Sequence, residues 1–241
     1  MKKMLNLIIV FVLLVGMAMS TFAAPTPFVT DPLTKEEQAT FTENSPVKKI
    51  EELDWTKPIE SFDVNEDEMI LVLFKRSSEY AICVYNSIFE FQYGFSFHSY
   101  GTVACEWSGN DIMVYFVRSD IYAKLDSNGQ WTEFYRVPLS SENNSLINDL
   151  LDKETEISVN NTTYKAQNDM VILNIFQTFD GHYSQLTKID KNNNETILYD
   201  IISLQTARTL LELIFTIGFA FAVLVVVFKP IIQERKKNKK N

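Results

Sequence analysis

Phe89-Glu90-Phe91-Gln92-Tyr93-Gly94-Phe95-Ser96-Phe97-His98 alternates an aromatic residue with a polar or small one across ten positions. Alternation with period two is the signature of a β-strand, because successive side chains leave a pleated backbone on opposite faces. The reading puts the five aromatics on one sheet face and the polar residues on the other. Flat exposed aromatics also suit sugar binding, but a strict alternation is what a face packed on a core requires.

Working outward, the same chemistry recurs. Residues 69–74, 81–85, 103–107, 112–117, 121–125, 131–137, 170–176 and 185–189 are short, rich in Val, Ile, Phe and Tyr, and bounded by Asn, Asp, Ser or Gly. Polar bends precede three of them, at Asn65-Glu66-Asp67-Glu68, Ser108-Gly109-Asn110-Asp111 and Gln167-Asn168-Asp169. A second set of bends follows, at Tyr85-Asn86-Ser87, Asp126-Ser127-Asn128-Gly129 and Asp190-Lys191-Asn192-Asn193-Asn194. Asp and Asn tolerate left-handed backbone and hydrogen-bond their own turns, and Gly129 offers the positive φ of a bulged hairpin.

Stacked on one another, these segments give a unit of about 40 residues and four strands, which resembles a β-propeller blade. The chain as a whole resembles bacterial membrane-anchored proteins with propeller-like hairpin repeats. The likeness covers residues 63–199, rests on architecture and turn chemistry, and implies an all-β domain without assigning any site residue. Three copies are read, with an insertion at residues 139–160 in which residues 145–151 form a short helix. Closed propellers have four to eight blades. Either residues 48–64 supply part of another blade, or the antiparallel meanders pack as an open stack or sandwich. Open sheets leave edges, which the insertion or a second subunit would cover.

Residues 24–58, with Pro25, Pro27, Pro32 and Pro46 among polar residues, read as an extended linker, with Thr34 capping one or two helical turns. The β domain then occupies residues 59–200 and a juxtamembrane segment residues 201–208.

Apolar segments bracket the chain. Residues 5–19 follow Lys2 and Lys3 and precede Ser20-Thr21-Phe22-Ala23-Ala24, the three parts of a signal peptide. Small residues at Thr21 and Ala23 place a cut after Ala23, so residues 1–23 are the leader; the alternative is an uncleaved anchor. Residues 209–228 are long enough, at about 1.5 Å per residue, to cross the hydrocarbon of a bilayer. The tail, residues 229–241, carries six Lys and Arg against Glu234 alone. Positive charge beside a span marks the cytoplasmic side, so the β domain faces outward and the C-terminus inward.

All of the 31 acidic residues except Glu212 and Glu234 fall in residues 24–207, against 13 of the 22 Lys and Arg, a formal balance of −16. Such a surface argues against binding nucleic acid or anionic lipid. The basic tail suits an anionic inner leaflet.

Cys83 and Cys105 are both on the outer side and are candidates for a disulfide; the alternative is two free core thiols. They form no ligand-spaced cluster with His98 and His182, so no metal is assigned. Asp126, Asn128 and Gln130, with the similar sets at Asp190 and Asp63, begin like calcium loops. They lack the glycine and the closing glutamate, and read as turns. Gly94-Phe95-Ser96-Phe97-His98 lacks the closing glycine of a nucleophile elbow. No phosphate loop or zinc-protease helix occurs, and no catalytic residue or cofactor is assigned. Asn143, Asn160, Asn161 and Asn194 lie in glycosylation sequons, which matter only in a eukaryote; the Lys, Asn and Ile usage reads as bacterial.

The sequence therefore reads as a non-enzymatic single-span membrane protein displaying a β-rich binding domain outside the cell. Its expected partners are the bilayer and a protein or second copy joined through β edges. The alternatives are an accessory subunit of a membrane complex and a surface hydrolase with a non-standard site.

Overall fold

The computed structural model describes residues 26–52, 56–151, 155–169 and 182–238. The signal peptide and the strand expected at residues 170–176 lie outside the described residues. Among the described residues, fourteen strands form three antiparallel sheets. The first holds β3 (Ile59–Val64), β4 (Ile70–Arg76), β5 (Glu79–Tyr85) and β6 (Phe91–His98) as a meander, with β2 (Lys48–Ile50) added outside β6. The second holds β7 (Val103–Ser108), β8 (Asp111–Phe116), β9 (Ile121–Leu125) and β10 (Trp131–Arg136), with β1 (Asp31–Pro32) added outside β10. The third is the meander β11 (Glu156–Val159), β12 (Thr162–Gln167), β13 (Gln185–Ile189) and β14 (Glu195–Asp200).

One turn device is used four times. Asn65, Asn86, Asp126 and Asp190 each accept, through Oδ1, the backbone N–H groups two and four residues on, at 2.7–3.1 Å. The fourth residue of each turn is left-handed: Glu68, Phe89, Gly129 and Asn193, with φ of 58°, 64°, 80° and 60°. These side chains are spent on their own backbone, as a turn reading requires and a calcium site does not. Hydrogen bonds to the Gln130 backbone and to Asn194, respectively, hold the Asp126 and Asp190 carboxyls below their usual range.

The first sheet is the middle layer. Leu71, Leu73, Ile82, Val84, Phe95 and Phe97 pack on the second sheet. Ile70, Val72, Phe74, Cys83 and Tyr85, on the opposite face, pack on Tyr164, Ala166 and Leu186 of the third. Burial on both faces explains why β4 and β5 read as continuous apolar runs rather than alternations. The outer face of the second sheet, with Met113, Tyr115 and Tyr122, is covered by Phe28 and by α2 (Ser141–Leu151). Asn143 of α2 is fully buried; its amide donates to the carbonyls of Val29 and Pro138 and accepts from Val29 N–H, so this sequon presents no free asparagine.

Several expectations are corrected. The aromatic row splits between two faces: Val84 pairs with Tyr93 but Tyr85 with Phe91, so Gln92 bulges. Beyond the bulge the parity flips. Tyr93, Phe95 and Phe97 face the second sheet, while Phe89 and Phe91 join the core shared with the third. The third unit begins earlier than read, at β11, inside the expected insertion. Its first hairpin turns on Asn160 and Asn161, both left-handed at φ 49° and 62°, the geometry of a two-residue primed turn. The helix in that stretch starts at Ser141, one turn before residues 145–151.

Residues 24–58 are not simply a spacer. Within them β1, α1 (Lys35–Asn44) and β2 form a strap. Thr34 and Glu37 close a capping box at the start of α1. Phe41 inserts among Phe116, Trp131 and Phe134, with ring centroids 4.9–5.7 Å away. Residues 48–64 thus complete existing sheets instead of adding a blade, and it is the strap that covers the outer edges of β6 and β10.

Neither Cys83 nor Cys105 is in a disulfide. They sit on different sheets and in different cores, one facing the third sheet and one between the first and second, so no disulfide links them. Burial pushes the Cys83 thiol up to about 12. Finally, α3 (Ile202–Asn238) leaves β14 at once, with Asp200 Oδ1 accepting Ile202 N–H at 2.8 Å. Within Ile202–Lys229 the most apolar 18-residue window has mean hydropathy 2.7, and none of that window is buried in the domain.

Candidate functional site

The first strands of the three meanders, β3, β7 and β11, converge, and a cleft of about 330 Å³ opens between them. Phe28 and the α2 residues Leu146 and Leu150 close its sides, with Phe62 and Ile157 as further apolar wall. Its polar lining comes from Ser61, Asp63, Glu106 and Asp149.

Asp63 ties the first sheet to the second. One carboxylate oxygen accepts the Val64 N–H and the other the Trp107 N–H, both at 2.7 Å. These two backbone donors fix the carboxylate between the strands. Glu106, on the neighbouring strand, accepts a hydrogen bond from the Tyr122 hydroxyl of β9. Burial raises the Glu106 carboxyl above its ordinary range. The Asp63 charge adds to this and the Tyr122 hydrogen bond opposes it. Burial, and next the Glu106 charge, push the Tyr122 phenol upward.

Ser61 follows a bulge at Glu60, where pairing shifts between Ile59 and Ser61. Bulges re-aim side chains, and here Ser61 lines the cleft. It is 8% exposed, and its Oγ has no hydrogen-bond partner among the described residues. A buried hydroxyl left without a partner is costly, and a ligand could satisfy it. Asp149, exposed on α2, stands at the mouth.

These groups can hold a small molecule that donates hydrogen bonds or carries positive charge on an apolar body. They do not form a serine–histidine pair, since His98 and His182 line other cavities. Among the described residues no group of three His, Cys, Asp or Glu could hold a metal ion. A larger open groove of about 830 Å³ lies beside α1, where Arg136 is paired with Glu37 at 2.6 Å.

None of the cleft residues stands out in the sequence as a site. Ser61, Asp63, Glu106 and Tyr122 come from three strands of two sheets, with no fixed spacing. One signal was available: Glu106 interrupts the apolar run 103–107 with an inward-facing charge.

No known protein family matches the chain, and no curated protein matches it. Among solved structures, a streptogramin B lyase is similar at TM-score 0.27 and 13% identity, over 66% of this chain and 46% of that one. The chain therefore spans less than half the length of that protein, and nothing of its activity is carried across.

Proposed function

We propose that this chain is a single-span membrane protein that holds an open, propeller-like stack of β meanders on the outer side of a membrane and binds a ligand or partner there. The observation that carries the reading is α3: a helix that begins one residue after the last strand and exposes an apolar surface from Leu210 to Phe228. Exposed Leu211, Ile214, Phe215, Phe219 and Phe221 have no protein surface to cover them, and a bilayer would. Residues 1–23 then act as leader, residues 209–228 as the span and residues 229–241 as the cytoplasmic tail.

Binding is assigned to the cleft because it combines apolar walls with few, placed polar groups, one of them lacking a partner. The test has two arms. In right-side-out vesicles, protease should remove a tag inserted in the β domain and spare one at the C-terminus; the reverse pattern would overturn the orientation. Affinity purification should lose its partners when Leu146→Trp fills the cleft; unchanged partners would move binding elsewhere.

A hydrolytic reading is favoured by one observation, a raised carboxyl at Glu106 near the unpartnered Ser61, since a neutral carboxyl can serve as a general acid. Turnover of ester or glycoside substrates, lost in Glu106→Gln, would replace binding by catalysis.

A further inference from the structure

A second cavity, about 350 Å³, lies where α3 leaves the β domain. Three cations line it: Lys57 before β3, Lys75 at the end of β4, and Arg208 in the second turn of α3. None of the three is ion-paired to a carboxylate among the described residues. Lys75 Nζ rests over the Tyr80 ring at 5.3 Å and keeps its charge available. Ser77 and Thr209 add hydroxyls. Two carboxylates share the lining: Glu60 Oε2 lies 3.3 Å from His182 Nδ1, and Glu212 is exposed one turn further along the helix.

Lys57, Lys75 and Arg208 gather in one cavity although residues 24–207 carry a formal balance of −16. Positive charges gathered without carboxylate partners favour an anion. Position indicates which anion. Apart from Leu204 in its first turn, the exposed apolar surface of α3 starts at Leu210 and Leu211, immediately beyond Arg208 and Thr209. The cavity is therefore level with the layer in which phospholipid phosphates sit. A domain this acidic repels soluble anions from a distance, whereas lipids reach the cavity within the plane of the membrane.

We propose that Lys57, Lys75 and Arg208 form a binding site for the phosphate of an anionic phospholipid headgroup, which fixes the β domain against the membrane surface. The proposal rests on the single-span reading above. In it, the lysines and the guanidinium take phosphate oxygens, Ser77 and Thr209 donate to them, and the acyl chains lie along the exposed face of α3.

The test uses the full chain in nanodiscs of phosphatidylcholine and phosphatidylglycerol in equal amounts, with native mass spectrometry reading the lipids retained on release. The wild-type chain should retain phosphatidylglycerol preferentially. The preference should fall about fivefold for each charge removed in Lys57→Gln, Lys75→Gln and Arg208→Gln. Lys57→Arg with Lys75→Arg should keep it, which separates loss of charge from loss of fold. Equal retention of both lipids, or a triple variant that matches the wild type, overturns the site. Displacement of the lipid by millimolar inorganic phosphate overturns the lipid as its occupant. Carbonate extraction run in parallel separates the two readings. A chain stripped by carbonate removes the membrane span itself, while a chain that resists carbonate but shows no lipid preference removes only the headgroup site.

Discussion

Gly129 illustrates how much a single backbone angle specifies. Its φ of 80° is open to glycine, and a Cβ built there would lie 2.6 Å from Cε1 of Phe95, a buried ring between the first two sheets. Gly129→Ala therefore meets both left-handed strain and a clash with core that cannot withdraw. A loss of about 3 kcal/mol is expected in chemical denaturation of the detergent-solubilised chain. Asn193, left-handed at φ 60° in the equivalent turn but exposed, should accept glycine with almost no change. Glu106 gives the residue scale a pH signature. Its folded carboxyl is raised above the ordinary 4.5, so the folded state binds that proton more tightly than the unfolded chain. Stability from this group is complete below pH 4.5, falls as pH rises toward the raised value, and stays reduced above it. Glu106→Gln keeps an acceptor for Tyr122 and removes the titration. The variant should match the wild type in melting temperature at low pH and exceed it at neutral pH. A constant offset at every pH would assign the difference to packing instead.

At the scale of elements, the strap is the part that sequence patterning conceals. Its burial is carried by Phe28, Leu33 and Phe41, three residues spread over a polar, proline-containing stretch. No periodicity announces them, although the capping box at Thr34 is visible in the letters. The turns are legible for the opposite reason. An Asx turn is made by one side chain with its own backbone, so Asp126 and Asp190 need no tertiary information. The bulge at Gln92 is illegible because the alternation persists in the sequence while the pairing slips underneath it. The cleft is illegible because Asp63 and Glu106 meet only when two sheets dock. Phe41 is the point at which the strap holds. Phe41→Ala removes a ring that contacts Phe116, Trp131 and Phe134, and should lower stability by about 3–4 kcal/mol. Hydrogen exchange should then accelerate first at β1 and β2, the edge strands the strap supplies. Protection retained at both edges would mean that β1 and β2 hold without α1.

At the scale of the whole molecule, three sheets stacked in series do not share equally in stability. The first sheet is buried on both faces, and the second is buried on one face by it and on the other by α2. The third gives the shared core fewer large side chains: Tyr164, Ala166 and Leu186 are its fully buried apolar residues there. A polar link supplements them. Glu68, in the left-handed turn between β3 and β4, accepts from Lys188 Nζ at 3.2 Å and from the Tyr164 hydroxyl at 3.1 Å. The same ammonium donates to the Ser87 carbonyl at 3.1 Å and lies over the Tyr164 ring. Lys188 and Glu68 keep only 20% and 25% of their side-chain exposure, so the pair is partly shielded from water. Lys188→Met preserves the apolar stem and leaves Glu68 and the Ser87 carbonyl short of a donor, at an expected loss of about 1–2 kcal/mol. Because the link joins only the first and third sheets, the loss should appear as faster exchange in β11 to β14, with β4 and β5 unchanged. Uniform acceleration through all three sheets would show instead that the domain opens as one cooperative unit. The distinction bears on function, since α3 is capped by Asp200 at the end of β14. A third sheet that opens on its own would loosen the joint between the membrane helix and the cleft-bearing sheets without unfolding either.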